Sequence, residues 1–246
     1  MGVKYNVNEK FFEKWSSSMA YVLGYIYADG TLINAPYMRG KYISLTSKDK
    51  DSLLRVRGWL DSEHRIVKKR TSGFIKMNVI YLLRIGSHKI YDDLVKRGLF
   101  QNKSLTVGFP KVPQKYLGHF VRGYFDGDGC INFQKGIGSK NQVIIKRIRT
   151  IFTCGSKKFL TGLMENLEEN GVKNGKIYFS QRAYQLKYPN GDSINLFKVM
   201  YGNAGTNSFF MRKFSIFKEY FELRPQRVDL KIKKILSYHS NGHVVK

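Results

Sequence analysis

Acidic residues are scarce in this chain of 246 residues, which has 18 Asp and Glu against 43 Lys and Arg. The formal net charge is therefore +25, and the isoelectric point is near 10.0. Charge of one sign at this level repels itself within the fold unless a polyanionic partner neutralises it. Nucleic acid is the first expectation for that partner, and a membrane surface is the second.

Long apolar runs and cysteines are also missing. No stretch approaches the ~18 apolar residues that a membrane-spanning helix needs, and residues 1–6 lack the apolar segment of a signal peptide. Asn6 stands where N-myristoylation would favour Ser or Thr. The two cysteines, Cys130 and Cys154, are too few for a disulfide scaffold and lack zinc-site spacing. We therefore expect no membrane partner and an intracellular, non-secreted protein, in a bacterial cytoplasm or an organelle matrix.

Hydrophobic residues are plentiful, at 42% of the chain with 14% aromatic, which excludes a disordered protein. Two segments repeat each other: residues 20–30 read AYVLGYIYADG and residues 119–129 read HFVRGYFDGDG. Each segment is an apolar run that ends in an Asp-Gly pair, at Asp29 and at Asp128. The small residues within them, four positions apart, are Gly24 and Ala28 in the first segment and Gly123 and Gly127 in the second. The chain is therefore predicted to contain a duplicated unit with one acid in each copy.

The small residues predict how the two copies meet. Two helices that pack through Gly and Ala approach more closely than helices that pack through Leu. The C-terminal ends of the two helices would then lie side by side, with Asp29 close to Asp128. Two carboxylates among the free carbonyls of two helix ends make a negative, oxygen-lined point that suits Mg²⁺. A single Asp-Gly pair is more simply a helix end or a hairpin, but two pairs at matching places favour the metal site.

An α+β fold with the element order α-β-β-α-β-β-α in each copy is predicted from the periodicities. The first copy is predicted to have a helix that ends at residue 29, further helices at 48–60 and 88–97, and strands at 31–34, 41–46, 65–70 and 76–85. The second copy is predicted to have helices at 114–128, 156–170 and 207–221, and strands at 130–135, 146–153, 176–182 and 192–200. The predicted units are a first repeat at 10–110, a second repeat at 111–224, and a basic tail at 225–246. This tail is either a closing helix or a loose arm on the DNA backbone.

Much of the positive charge falls on the predicted strands. Residues 144–153 alternate between an apolar face with Ile148 and Phe152 and a basic face with Arg147 and Arg149, and the following strand alternates in the same way. Such a sheet suits duplex DNA, because cations neutralise phosphates while Arg, Ser and Tyr reach base edges. An ordinary exposed sheet is also polar, but it mixes both signs of charge. The predicted DNA contacts are Tyr42, Ser44, Thr46, Arg65, Lys68, Arg70, Lys76, Arg147, Arg149, Lys176, Tyr178, Ser180 and Arg182.

Residues 22–30 (VLGYIYADG) and 121–129 (VRGYFDGDG) resemble the two signature motifs of the LAGLIDADG homing endonucleases. The repeat order and the motif spacing resemble the single-chain, two-repeat members of that family over nearly the whole chain. Tyr27 stands where the first acid of the motif is usual, but that acid is not the metal ligand. Arg122 stands where a small residue is usual, and we expect it to face outward.

The resemblance implies a catalytic and metal-binding role for Asp29 and Asp128, assisted by the carbonyl groups of Ala28 and Gly127. It implies two or three Mg²⁺ ions as the cofactor, with Mn²⁺ as a substitute and with Ca²⁺ supporting binding without cleavage. When bound, these ions would activate water and stabilise the leaving oxygen of a phosphate ester.

The resemblance also implies a basic residue near the end of each repeat that helps to polarise water or the phosphate. Lys103 and Lys213 fit this role best, although the chain is rich in lysine. The resemblance further implies a polar residue after the second strand of each repeat. This residue would be Ser47 in the first repeat and, as a poorer match, Cys154 in the second.

Together these inferences predict a monomeric, site-specific double-strand DNA homing endonuclease. It would hydrolyse one phosphodiester on each strand of a long asymmetric target. The resemblance to the family implies that it cuts across the minor groove and leaves short 3′ overhangs. Two pseudo-symmetric repeats would pack through the motif helices, and their antiparallel sheets would form a saddle over the DNA. The alternatives are an intron RNA maturase or a catalytically inactive DNA-binding protein, and the retention of both acids argues against the second.

Overall fold

The structure is a computed structural model that describes residues 5–36, 40–71, 78–139, 141, 143–205 and 208–240. The first repeat contains α1 (Ser17–Asp29), β1 (Gly30–Ala35), β2 (Gly40–Ser47), α2 (Lys50–Trp59), β3 (Ile66–Thr71), β4 (Asn78–Gly86) and α3 (His88–Lys96). The second repeat contains α4 (Gln114–Asp128), β5 (Gly129–Ile137), β6 (Val143–Cys154), α5 (Lys157–Glu168), β7 (Lys176–Ser180), β8 (Ala183–Tyr188) and α6 (Asn190–Tyr201). Two further helices follow, α7 (Met211–Leu223) and α8 (Leu230–Ser240). The predicted α+β class and the repeated element order are confirmed, and no helix within the described ranges is long and apolar enough to cross a membrane.

Each repeat builds its own four-stranded antiparallel sheet, with the strand orders β1-β2-β4-β3 and β5-β6-β8-β7. Alternation along each strand divides a sheet into a face that packs on helices and a face that points outward. In β6, Ile148 and Phe152 are buried while Arg147 and Arg149 are exposed, as predicted. Helices α1, α2 and α3 contact the first sheet, and helices α4, α5, α6 and α7 contact the second.

Gly24 and Gly123 hold α1 and α4 in direct backbone contact. A methyl group at Gly24 would lie 2.1 Å from the carbonyl oxygen of Phe120, and one at Gly123 would lie 2.0 Å from that of Tyr21. No side chain fits at either position, so this close crossing requires glycine. The predicted two-helix seam is confirmed, and one hydrophobic core extends across it into both repeats.

One predicted strand is wrong. Residues 192–200 lie in α6, where Ile194, Phe197 and Met200 recur at helical spacing and are all buried. The fourth strand of the second sheet is β8, which follows β7 after a tight turn. In that turn Gln181 and Arg182 have φ of 51° and 66°, so the strand predicted at 176–182 ends at Ser180. Positive φ at two central residues is the geometry of a two-residue hairpin turn.

The basic tail forms a closing helix rather than a loose arm. Helix α8 buries Ile232, Ile235 and His239. The His239 ring lies edge-on to the Phe209 ring, with 4.8 Å between centroids. An ion pair of 2.5 Å between Lys198 and Asp229 joins α6 to the segment before α8. The tail therefore extends the core beside α6 and α7, while residues 241–246 lie outside the described part of the chain.

Candidate active site

Asp29 and Asp128 end the two helices of the seam. Asp29 is the last residue of α1, and Asp128 is the last residue of α4. The helix ends converge because Gly127 packs against Ala28. A methyl group at Gly127 would lie 2.4 Å from Cβ of Ala28 and 3.2 Å from Oδ2 of Asp29. The Asp29 carboxylate therefore rests against the backbone of α4, next to Asp128.

Burial destabilises the charged form of both carboxylates. Burial raises the pKa of Asp29 from 3.8 to about 6, and the charge of Asp128 adds to the rise, against the opposing charges of Lys213 and Lys103. Loss of solvent in the cleft also raises the pKa of Asp128, and Lys103 and Lys213 offset part of that rise. A divalent cation between the carboxylates would replace the missing water and relieve the repulsion.

The chemistry of the donors at this point fits Mg²⁺, Mn²⁺ or Ca²⁺. All are oxygens, from the Asp29 and Asp128 carboxylates and from the helix-end carbonyls of Ala28 and Gly127, and hard cations prefer oxygen. No group of three or more His, Cys, Asp or Glu within the described ranges is placed to hold a metal alone. A cation here would complete its shell with water or phosphate oxygens, which is how Mg²⁺ is usually bound in phosphate-processing sites.

Lys213 closes the end of α4. It is buried, and its Nζ donates to several carbonyl groups where the helix ends. The acceptors are the carbonyl oxygens of Phe125, Asp126 (2.9 Å), Gly127 (3.4 Å) and Gly129 (2.6 Å). Burial lowers the pKa of Lys213 from 10.5 to about 8, although Asp126 and Asp29 favour its charged form. Its ammonium group supplies the positive charge that a helix C-terminus favours, and its three donors are committed to the protein.

Lys103 serves α1 in a similar way but with fewer contacts. It lies in the short 3₁₀ helix Lys103–Leu105 that follows α3, and it is also buried. Its Nζ donates to the carbonyl oxygen of Tyr27 at 2.8 Å, the one acceptor it has among the described residues. Burial lowers the pKa of Lys103, while Cys154, Asp128 and Asp29 favour its charged form. Its remaining N–H groups have no acceptor among the described residues.

The sixth residue of each motif ties its helix to the segment that precedes the lysine. In α4, the Asp126 carboxylate accepts from the backbone N–H of Phe210 at 2.8 Å. In α1, the Tyr27 hydroxyl donates to the carbonyl oxygen of Arg97 at 2.7 Å. Tyr27, which stands where the motif usually has an acid, therefore links α1 to the segment before Lys103 as Asp126 links α4 to the segment before Lys213.

Arg122 does not face outward, so that prediction is wrong. The side chain is 1% exposed and lies inside the second repeat. It donates to the carbonyl oxygens of Met200 at 2.6 Å and Ser208 at 3.1 Å, and to Nδ1 of His119 at 2.9 Å. Its guanidinium carbon also lies 5.4 Å from the ring centroid of Tyr21. These acceptors and the aromatic face stabilise a buried cation that the local sequence presents as an exposed one.

Solved structures of three proteins share this architecture over most of their length. The homing endonuclease I-WcaI, bound to its DNA recognition sequence, is 12% identical with a TM-score of 0.58, covering 85% of this chain and 91% of its own. I-SmaMI, bound to an uncleaved DNA target with calcium ions, is 15% identical with a TM-score of 0.54, covering 93% and 99%. I-DmoI, in complex with DNA and Ca, is 18% identical with a TM-score of 0.52, covering 87% and 99%.

The chain has the fold of the LAGLIDADG homing endonucleases. No protein-family model and no curated protein matches it. The assignment of this fold therefore rests on the similarity to solved structures and on the two sequence motifs.

In this homing-endonuclease fold, the outer face of the second sheet carries a row of basic and polar side chains. The predicted contacts on this face are Arg147, Arg149, Lys176, Tyr178 and Ser180. The same face also carries Asn132, Gln134, Gln185 and Lys187. Gln185 and Lys187 were missed because β8 was not predicted. The alternation of Tyr184, Leu186 and Tyr188 is the signal that marks that strand.

The first sheet divides its predicted DNA contacts between two faces. On the outer face of β2 lie Tyr42, Ser44 and Thr46. Arg84 of β4 shares this face, since it is paired with Ser44. Lys68 and Arg70 lie on the opposite, helix-facing side of the sheet. Lys68 is paired with Tyr81, and Tyr81 shares a face with buried Leu83, two residues further along β4. Lys69, between Lys68 and Arg70, is the cation of β3 that points outward.

Three other predicted contacts lie off the strands or outside the description. Arg65 is exposed just before β3, and Arg182 occupies the turn between β7 and β8. Lys76 lies outside the described residues. The eight described strands contain no Asp or Glu, so the outward faces of both sheets are basic without a balancing acid.

A cavity of about 720 Å³ opens beside Asp29. Ser47, at the end of β2, lines it together with two cations that the sequence analysis missed, Lys48 and Arg212. Cys154 ends β6 at the matching place in the second repeat and lies near Lys103. The surroundings of the two acids thus differ. Ser47, Lys48, Asp49 and Arg212 line the cavity beside Asp29, whereas Cys154 takes the place that matches Ser47 in the second repeat.

Proposed function

We propose that the protein is a site-specific DNA endonuclease that hydrolyses one phosphodiester on each strand of a duplex. The observation that carries this proposal is the convergence of Asp29 and Asp128 at the seam of two repeats. Each repeat adds a buried lysine beside the acids and a sheet whose outward face is basic. One acid for each strand is the arrangement that a double-strand cut requires.

In this proposal, the two acids bind the metal and the two buried lysines have separate supporting roles. Mg²⁺ held by the carboxylates of Asp29 and Asp128 and the carbonyls of Ala28 and Gly127 would supply an activated water and stabilise the leaving oxygen. With a pKa of about 6, Asp29 is ionised at neutral pH and ready to receive a cation. Lys213 holds the end of α4 in place. Lys103 keeps N–H donors that can meet a phosphate oxygen.

The target is a long duplex without strict two-fold symmetry. The outward faces of the two sheets differ: Ser44 and Arg84 are paired in the first sheet, where Arg149 is paired with Asn132 in the second. Unlike side chains read unlike base edges, so the two half-sites should differ. I-WcaI and I-SmaMI are bound to DNA in their solved structures, which supports the same class of partner here. Following the resemblance to their family, we expect a monomer and short 3′ overhangs after a cut across the minor groove.

Selection from a randomised duplex pool tests this function. The protein would be incubated with the pool in Mg²⁺ and, separately, in Ca²⁺, and bound and cut molecules would be sequenced. We expect cutting in Mg²⁺ at one long asymmetric site and binding to the same site without cutting in Ca²⁺. The Asp29→Asn variant is the matched control, and it should bind the selected site without cutting it.

Two results would contradict the proposal. Binding without cutting in either metal would indicate a DNA-binding protein that lacks catalysis. Failure to enrich any duplex, followed by enrichment of a structured RNA from a second pool, would indicate a maturase instead.

A further inference from the structure

A second cavity lies at the opposite end of α4 from Asp128. It has a volume of about 250 Å³ and is enclosed by the first turns of α4, the end of α6 and the start of α8. The charged and titratable residues that line it are Lys115, His119, Arg122, Lys198 and Lys231. Because an α-helix rises ~1.5 Å per residue, Lys115 and Asp128 lie about 20 Å apart along the helix. The cavity is therefore separate from the candidate active site.

The charge in this cavity is one-sided. Four cations line it, and none of the described residues that line it is acidic. Lys198 is paired with Asp229, but Lys115 and Lys231 are exposed at the rim. Lys231 reaches across the loop after α6, where a methyl group at Gly202 would lie 3.4 Å from its Cε. Three helices, α4, α6 and α8, thus contribute cations to the lining of one cavity.

His119 lines the cavity, and its hydrogen bond with Arg122 determines which ring nitrogen carries the proton. Arg122 Nη2 lies 2.9 Å from Nδ1 of His119, and a guanidinium group can only donate, so Nδ1 accepts. The proton of the neutral ring must then be on Nε2. Burial and the charge of Arg122 lower the pKa of His119 to about 4, so the ring is neutral at physiological pH. His119 is 5% exposed, and its Nε2–H has no acceptor among the described residues.

We propose that this cavity binds a phosphate group, carried either by a free nucleotide or by a nucleic-acid backbone. An imidazole N–H that is unpaired among the described residues, in a cavity lined by cations, matches the several acceptor oxygens of a phosphate. The volume corresponds to about eight waters of ~30 Å³, which accommodates a phosphate and part of an attached sugar. An adjoining cavity of about 590 Å³ shares Lys231 and adds Lys234 and the exposed Tyr238, which gives room for a base or a second nucleotide.

Calorimetric titration in chelator at constant ionic strength tests this site. The probes are inorganic phosphate, a nucleoside monophosphate and a four-nucleotide single-stranded DNA. The variant Lys115→Ala/Lys231→Ala removes the two rim cations and should weaken binding of at least one probe about tenfold, since charge-assisted hydrogen bonds are lost. The control Lys10→Ala/Lys233→Ala removes the same charge from exposed positions that do not line the cavity, and it should bind like the wild type. Both variants should keep the wild-type melting temperature and the wild-type rate of DNA cleavage.

The probes also identify the source of the phosphate. Equal affinity for the monophosphate and the oligonucleotide indicates a free nucleotide or phosphate ligand, while tighter binding of the oligonucleotide indicates a backbone. A ring ¹⁵N signal of His119 that shifts with the ligand in the wild type, but not in Lys115→Ala/Lys231→Ala at the same ligand concentration, would support the site directly. If no probe binds, or if both double variants lose affinity equally, the proposal is overturned, whatever the outcome for DNA cleavage.

Discussion

Asp29 bears an electrostatic cost in the absence of metal. Its carboxylate is removed from water, rests on the backbone of α4 and faces the charge of Asp128. The rise of its pKa from 3.8 to about 6 expresses that cost. A bound cation or protonation of the carboxylate would relieve this cost.

The variant Asp29→Asn should abolish cleavage and stabilise the metal-free protein. Removing the charge removes the repulsion from Asp128, and the gain should be about 1–2 kcal/mol at pH 7 once solvent screening is allowed for. Thermal unfolding in chelator, followed by circular dichroism, measures it. Asp61→Asn is a matched control, because Asp61 is exposed and Asn tolerates its positive φ.

The raised pKa of Asp29 also determines how the stability difference between the wild type and Asp29→Asn depends on pH. The folded-state pKa is raised, so the cost is fully present above pH 6 and disappears as Asp29 becomes protonated between about pH 6 and 4. The stability of the wild type should therefore approach that of Asp29→Asn as the pH falls through this window. A difference that widens at low pH, or a variant less stable than the wild type at pH 7, would contradict the account.

The two buried lysines should respond differently to replacement by methionine. Lys213→Met leaves several carbonyl groups at the end of α4 without their donor and should cost about 2–3 kcal/mol of unfolding free energy. Lys103→Met removes one hydrogen bond and should cost about 1 kcal/mol, with a larger effect on the cleavage rate of the stable protein. Urea unfolding and single-turnover cleavage separate the two effects. Equal losses of stability would show that Lys213 is not the main support of the helix end.

At the scale of elements, the seam could be predicted because it depends on local residue types. Small residues four apart allow one close helix crossing, and the structure places Gly24 and Gly123 at backbone contact. The convergence of the two Asp-Gly pairs follows from that crossing. The order of helices and strands was also predictable, since most segments show only one periodicity.

The error at α6 arose because its sequence fits two periods. Ile194, Leu196 and Met200 alternate like a strand, whereas Phe197 completes a helical set. Pro189 just before the helix and Asp192 in its first turn are the start signals that decide in favour of the helix. The hairpin before it gave no such signal, because Gln and Arg, rather than Asn and Gly, occupy its positive-φ positions.

The burial of Arg122 could not be predicted from its surroundings in the sequence. Its acceptors at Met200 and Ser208 come from the end of α6 and the segment before α7, some 80 residues later in the chain. A charged residue within an apolar motif is normally assigned to the surface. Only the tertiary arrangement supplies the partners that make its burial tolerable.

Substitution at the seam tests the crossing directly. Gly123→Ala places a methyl group 2.0 Å from the carbonyl oxygen of Tyr21, and separating the helices should cost about 3 kcal/mol or more. The control is Gly58→Ala in α2, where no atom lies within 4 Å of the added methyl group. Because Ala is a better helix former than Gly, the control should gain about 0.5–1 kcal/mol. Similar unfolding free energies for the two variants would contradict the close contact.

At the scale of the whole molecule, the chain carries a net charge of +25, and the outward faces of both sheets carry cations without acids among the described strands. Acids are absent from the described strands, so a polyanion on these faces would relieve the repulsion among their cations. The two faces differ in sequence, and the surroundings of Asp29 and Asp128 differ as well. The molecule therefore combines one nearly symmetric helix seam with two outward sheet faces that differ in sequence.

The salt dependence of binding reports how much of those surfaces DNA covers. If the protein neutralises about eight to ten phosphates, the logarithm of its affinity should fall with the logarithm of salt concentration at a slope of roughly −7 to −9. Fluorescence anisotropy with the selected duplex in Ca²⁺ gives this slope. A slope of about −2 would mean that DNA contacts only a small part of the two sheets.

The central claim is that the duplicated motif provides one essential acid to each half of a single two-strand cut. Cleavage of a plasmid that carries the selected site, by the wild type, Asp29→Asn and Asp128→Asn in Mg²⁺, tests it most directly. We expect the wild type to linearise the plasmid and neither variant to do so, with nicked circles as the most that either one produces. Linearisation by either variant at the wild-type rate would contradict the claim.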